Sequence, residues 1–299
     1  MEKVSILHLF TAAKNASPFD VNMAYDAGFD KIMPYTNVGL GEVAGLTQDA
    51  IFSRSSSGLK REAIFIGGRD IDLAMDMLEA SQKATFPPFQ ISMFADPSGA
   101  FTTAAAMLAK VDLHLNRHFK INLKDKKIAI FGATGPVGGC AALIAAKQGA
   151  QVQLVAYRGM ESVREKAQNY NQHYSVDIGL VDGASEAAKQ AILDDADVVL
   201  CCAAAGVRVL SAEQIAHSKH LKIIADVNAV PPSGAEGVAV MMDGMRIAET
   251  KVLGVGALAI GNLKYATQHQ LLKQMLSAEK PVYIEFMAAF ETAQNLASS

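Results

Sequence analysis

Only three cysteines occur among the 299 residues, Cys140, Cys201 and Cys202. Three thiols make no disulfide framework, and their apolar helix and strand contexts mark them as buried, reduced side chains of a cytosolic chain. No apolar run is long enough for a membrane-spanning helix, and residues 1–10 lack a basic segment followed by a long apolar one, so neither a membrane anchor nor a secretory leader is expected. No block of like charge is present and the formal net charge is -3, which argues against nucleic acid as the main partner. The familiar catalytic signatures H-E-x-x-H, C-x-x-C, G-x-S-x-G and G-x-x-x-x-G-K-[ST] are missing, as is any Tyr followed four residues later by Lys. The seven histidines form no cluster at ligand spacing, so no metal is expected. His114 and His118, one helical turn apart, read as the polar face of an exposed helix.

What is present is apolar and regular. Hydrophobic residues make up 51% and charged residues 19%, the composition of a compact chain long enough for two domains. Strands are expected at residues 4–9, 31–35, 63–66 and 90–94. Helices begin at Ser17-Pro18-Phe19-Asp20 and cover 41–48, 71–83 and 101–117, with a polar loop at 54–60. This alternation predicts a parallel α/β domain, with function beyond the carboxyl ends of its strands. A polar boundary follows at 116–127.

Residues 127–158 carry the clearest pattern, an apolar strand, a glycine-rich turn, an alanine-rich helix and a second strand. Gly132, Gly135 and Gly138 are spaced G-x-x-G-x-x-G, and Pro136 suits the first turn of the helix. Strand before and helix after make this a dinucleotide-binding β-α-β unit, in which glycines admit a pyrophosphate to a helix N-terminus. Ala133, Thr134 and Val137 complete the turn. The second strand ends in Tyr157-Arg158, and an arginine there accommodates a 2′-phosphate, so NADP is favoured over NAD. Helices are expected at 161–171 and 184–193, and strands at 197–202 and 223–225. Ala203, Ala204 and Gly206 after one strand, Asp226 and Asn228 after the other, and Gly256-Ala257 further on extend the expected cofactor-binding set. The chain then ends in two helices, from Gly261 to about 278 and over 281–297.

Other segments carry a family resemblance: Ser17-Pro18-Phe19-Asp20-Val21-Asn22-Met23-Ala24, Ile51-Phe52-Ser53-Arg54, Phe65-Ile66-Gly67-Gly68, Phe94-Ala95-Asp96-Pro97, Phe101-Thr102-Thr103, Asp226-Val227-Asn228-Ala229-Val230-Pro231-Pro232 and Gly256-Ala257-Leu258-Ala259-Ile260-Gly261-Asn262-Leu263-Lys264-Tyr265. Over essentially its whole length the chain resembles the bacterial methylene-tetrahydromethanopterin dehydrogenases, particularly the type that accepts both NAD and NADP. At Tyr157-Arg158 it departs from those members and carries the arginine of NADP-only relatives. The resemblance implies a cytoplasmic two-domain enzyme of one-carbon metabolism and methylotrophy, usually a homotrimer, with pterin bound between its domains. It divides the chain into a substrate domain, 1–118, onto which 267–299 pack back, and a Rossmann cofactor domain, 119–266. Lys264 and Asp20 are the implied catalytic residues, and Asn22, Asp96, Thr102, Thr103 and Asn262 the implied substrate contacts. Asp226 and Asn228 would lie near the nicotinamide. The rivals are a methylene-tetrahydrofolate dehydrogenase, whose bifunctional type needs the absent Tyr-x-x-x-Lys pair, and a non-catalytic NADP-sensing protein.

Overall fold

The computed structural model describes residues 4–157 and 159–298. Two parallel sheets organise it, each in its own compact unit. One unit runs to Thr102 and takes in Tyr265–Thr292; the other is Thr103–Lys264 with the residues from Ala293 on. No helix among the described residues is long and apolar enough to cross a membrane.

The first unit opens with β1 (Ile6–Phe10), α1 (Pro18–Asp26), β2 (Lys31–Tyr35), α2 (Leu40–Phe52), α3 (Ser56–Leu59), β3 (Glu62–Ile66), α4 (Ile71–Lys83) and β4 (Ser92–Ala95); α5 (Ala100–His114) follows and belongs to the second unit from Thr103 on. The strands lie in the order β4-β3-β1-β2, all parallel. Every residue of β3 is buried, as expected of a central strand covered on both faces. Helix starts follow their caps: Ser17 precedes Pro18, and the Asp70 Oδ1 accepts from the Asp72 and Leu73 amides at 2.9 and 3.0 Å. The loop expected at 54–60 contains the single helical turn of α3, held by bonds from the Gly58 and Leu59 amides to the Ser55 carbonyl.

The second unit contains β5 (Lys127–Phe131), α6 (Pro136–Lys147), β6 (Gln151–Ala156), α7 (Glu161–Tyr174), β7 (Ile178–Asp182), α8 (Glu186–Asp195), β8 (Val198–Cys201), α9 (Ala212–Ala216), β9 (Ile223–Asp226), β10 (Asp243–Arg246) and β11 (Leu253–Val255), then α10 (Ala257–Ser277). Its sheet runs β10-β11-β9-β8-β5-β6-β7, parallel except for β10. Without the antiparallel edge this is the doubly wound order of dinucleotide-binding sheets, reversing at β5. Three strands here were not expected from sequence: the edge strand β7, the four-residue β10 and the brief β11. Each is too short or too exposed to show a clean period. The helix expected from Gly261 starts at Ala257, four residues earlier. The terminal helix expected over 281–297 is preceded by β12 (Tyr283–Ile284), which pairs with Met93 and Phe94 of β4, and α11 covers only Phe286–Ser298. Two residues have no periodicity to read; β4's open edge recruits them.

His114 corrects a further expectation. It is only 4% exposed, with its Nε2 2.7 Å from the Asp243 Oδ1 on β10. The Asp243 Oδ2 accepts from the Lys110 Nζ at 2.6 Å, and Gly244 lies so close to the imidazole that a Cβ would collide with it. His118 does remain exposed. Burial pushes the His114 pKa below its ordinary value, against the opposing pull of Asp243. At Asp243 burial resists ionisation, but the bonds from Lys110 and His114 outweigh it and hold that carboxyl below the usual range. A histidine kept neutral on folding takes up its proton more readily in the unfolded chain, so the stability is whole above the ordinary value of 6.5 and drains as pH falls through it. Going from about pH 8 to about pH 5.5 should therefore lower the urea midpoint of the parent chain more than that of His114→Gln. Equal losses would remove His114 as the cause.

Candidate functional site

In the second unit the glycine turn joins β5 to α6. Gly132 takes a φ of +78°, and a Cβ there would run into the Cys202 carbonyl that follows β8. Only glycine meets both demands. Gly135 caps α6, its N–H bonding the Gly132 carbonyl at 3.1 Å. A Cβ on Gly138 would come 2.6 Å from the Gly132 oxygen and 2.9 Å from the Ala133 Cα, so the third glycine lets the helix close on the turn. The first amide bonded inside the helix is that of Gly139, to the Gly135 carbonyl. The amides of Val137 and Gly138 come before it, donors of the kind that receive phosphate oxygens at a helix start.

Beside this turn lies a hollow of about 300 Å³, near the lower end of the range for ligand pockets. Gly132, Ala133, Thr134, Tyr157, Ala203 and Ala204 line it, and these expected residues are brought together. Ser162 and Val163 on α7 and Val207, Arg208 and Val209 after β8 line it as well; sequence reasoning missed them, and their only signal is a place a few residues beyond a strand end. Gly135, Pro136, Val137, Gly138, Gly206, Gly256 and Ala257 do not line the hollow. Arg158 lies outside the described residues. A larger space, about 460 Å³, opens where β5 and β6 begin, lined by Lys127, Gln151 and Gln153. That space extends to Val181 and Asp182 of β7 and to α8 and touches no residue of the glycine turn, whereas ligands of such sheets sit beyond the carboxyl ends at the reversal, and the smaller hollow is the candidate site.

Asp226 and Asn228 act one layer behind it. Asp226 is 2% exposed, and its Oδ1 and Oδ2 accept from the amides of Asn228 and Ala235 at 2.9 and 3.0 Å. Burial raises its pKa, only partly offset by backbone bonds from Ala235, Asn228 and Gly234. The Asn228 Oδ1 takes the amides of Gly206 and Val230, and its Nδ2 donates to the Pro232 carbonyl. Together they tie the segment after β9 to the segment after β8. All three cysteines are free; Cys202 is half-buried where full burial was expected. Burial, and then Asp226, push the Cys202 thiol up to about 12, which removes it as a nucleophile at neutral pH.

The first unit gathers polar groups at the carboxyl ends of β1, β3 and β4. Asp20, in the first turn of α1, is 4% exposed. The fully buried Gln268 donates to its Oδ1 at 3.3 Å, and a Cβ on Gly67, just after β3, would lie 3.6 Å from its Oδ2. Asp96 caps α5: its Oδ1 accepts from the Phe101 and Thr102 amides and its Oδ2 from the Thr102 hydroxyl at 2.6 Å. These bonds give Asp96 and Thr102 a helix-capping role. Asn22 on α1 is exposed; Asn262 (exposed), Thr103 and Lys264 (both half-buried) belong to the second unit. No group of three metal-ligating side chains occurs among the described residues.

The turn geometry separates its glycines. Gly132→Ala is expected to lower stability by about 1–3 kcal/mol and to abolish dinucleotide binding. Gly135→Ala, at ordinary φ with its nearest neighbour 3.4 Å away, should stay within about 1 kcal/mol of the parent. Thermal melts with and without dinucleotide read both.

A family model described as "Methylene-tetrahydromethanopterin dehydrogenase, N-terminal" matches residues 18–98. The chain is 45% identical over 293 residues to the NAD(P)-dependent methylenetetrahydromethanopterin dehydrogenase of Methylorubrum extorquens, covering 98% of this chain and 99% of that one. It is 30% identical over 278 residues to the bifunctional protein MdtA of the same organism, covering 93% and 94%. Among solved structures, quinate dehydrogenase from Corynebacterium glutamicum in complex with NAD superimposes with a TM-score of 0.56 at 12% identity, covering 97% of this chain and 98% of that one. Ornithine carbamoyltransferase from Pyrococcus furiosus gives a TM-score of 0.54 at 13% identity, covering 93% and 86%. Those two likenesses show the fold alone. With near-complete coverage at 45% identity, the chain belongs to the NAD(P)-dependent methylenetetrahydromethanopterin dehydrogenase family.

Proposed function

We propose that the chain oxidises methylene-tetrahydromethanopterin to the methenyl form with NADP or NAD as hydride acceptor, in cytoplasmic one-carbon metabolism and formaldehyde oxidation, as a homotrimer. The observation that carries this reading is the full-length identity to a dehydrogenase of that name, joined to a glycine turn whose geometry fits a dinucleotide. The first unit takes the pterin and the second the cofactor. NAD(P)+, when bound, supplies the hydride acceptor.

The reacting carbon stands between two nitrogens, whose lone pairs expel hydride and leave a delocalised cation. No proton has to leave, so no general base is required. The protein's work is to orient two rings and to stabilise positive charge. Asp20 is the carboxylate for that charge; its burial and its bond from Gln268 fix it in place without solvent reorganisation. Lys264 binds and orients the pterin, since an ammonium beside the reacting carbon would oppose the cation. Asp96 and Thr102 hold the start of α5, and Asn22, Thr103 and Asn262 contact the pterin. Asp226 and Asn228 shape the segments beside the nicotinamide.

Absorbance at 340 nm with NAD or NADP, offering methylene-tetrahydromethanopterin and methylene-tetrahydrofolate in parallel, tests the reaction; no reduced cofactor with either pterin would overturn it. Asp20→Asn should lower kcat by on the order of 10²-fold with little change in KM. An unchanged kcat would end its charge-stabilising role. For Lys264→Ala the KM for the pterin should rise at least as much as kcat falls, and a normal KM would sink the positioning role.

A further inference from the structure

Among the described residues lining the hollow beside the glycine turn, Arg208 carries the only charged side chain. The others are glycine, alanine, valine, phenylalanine, threonine, serine and tyrosine. A pyrophosphate-bearing ligand brings negative charge into such a space, and the helix N-terminus alone offers it only partial charges.

The position of Arg208 is built, not incidental. Its Nη1 donates to the Glu236 Oε1 at 2.8 Å, and the Glu236 Oε2 accepts from the Ala212 amide at 3.0 Å. On either side of this pair the backbone is locked: the Val209 and Leu210 amides bond the Gly234 carbonyl, and the Glu236 amide bonds the Leu210 carbonyl. The Ala235 amide in turn ends on the buried Asp226 carboxylate. A half-exposed ion pair adds little stability by itself, so an arginine held this firmly at a cavity wall calls for another use. The bond to Glu236 occupies one of the guanidinium's five N–H donors, and its flat fork suits phosphate oxygens.

We propose that Arg208 is a cofactor-binding residue that contacts a phosphate of the dinucleotide, aimed by Glu236. This rests on the hollow being the dinucleotide site. The shared chemistry is a phosphate ester, either the 2′-phosphate of NADP or the 5′-phosphate common to both cofactors.

Calorimetric titration of the full-length protein with 5′-AMP and with 2′,5′-ADP separates the two sources. Arg208→Met should weaken 2′,5′-ADP by about ten-fold or more. If 5′-AMP is untouched the contact is to the 2′-phosphate; if both weaken alike it is to the 5′-phosphate, and either result supports the assignment. The salt dependence of 2′,5′-ADP binding should also flatten in this variant, which a merely structural arginine would not cause. Arg208→Lys, retaining charge without the fork, should fall between parent and Arg208→Met, and serves alone if the methionine variant does not fold. Unchanged affinity for both probes, in a variant melting with the parent, overturns the proposal. A parent chain that binds neither probe would instead overturn the reading of the hollow as the dinucleotide site.

Discussion

The second unit turns on one close approach, that of Gly132 to the carbonyl of Cys202, which leaves no room for a Cβ. It joins the ends of β5 and β8, the two strands between which the chain's winding reverses. At that point the helices leave in opposite directions and a crevice must open. A side chain at position 132 would push the two strand ends apart. With glycine there, α6 starts against β5, Gly138 lets it stay there, and the segment from Ala203 to Val209 forms the opposite wall.

Buried carboxylates are held in two different ways, in one unit and in the other. Asp96 and Asp226 have both oxygens taken by nearby donors. An amide left unpaired in the interior costs more than its bond returns, so these two residues fix segments after β4 and β9. Asp20 is held differently, from across the first unit by the side chain of Gln268. Its partner comes from a helix distant in sequence, whereas the donors to Asp96 and Asp226 lie within ten residues of them. His114 and Asp243 show the structural use of charge again, latching an edge strand of four residues to α5.

Much of this was readable in the chain. The glycine turn, the strand before it and the helix after it follow from local steric demands, which belong to residues 127–147 alone. The alternation of strand and helix in both halves has the same local origin. What escaped were elements whose existence depends on a neighbour: β12 at the edge of β4, β10 beside β11, and the burial of His114 that β10 causes. Arg208 escaped for the same reason, because no spacing in the sequence connects it to Gly132 or to Glu236.

By itself, then, the sequence determined the doubly wound class, the glycine turn and the family, since periodicity, glycine placement and extended likeness are properties of the linear chain. The tertiary structure alone decided which of the polar residues are caps, which carboxylate is held by a remote partner, and which arginine faces the hollow. Those roles depend on what each side chain meets after folding, and residues such as Asp20 and Gln268 are 248 positions apart until the fold joins them.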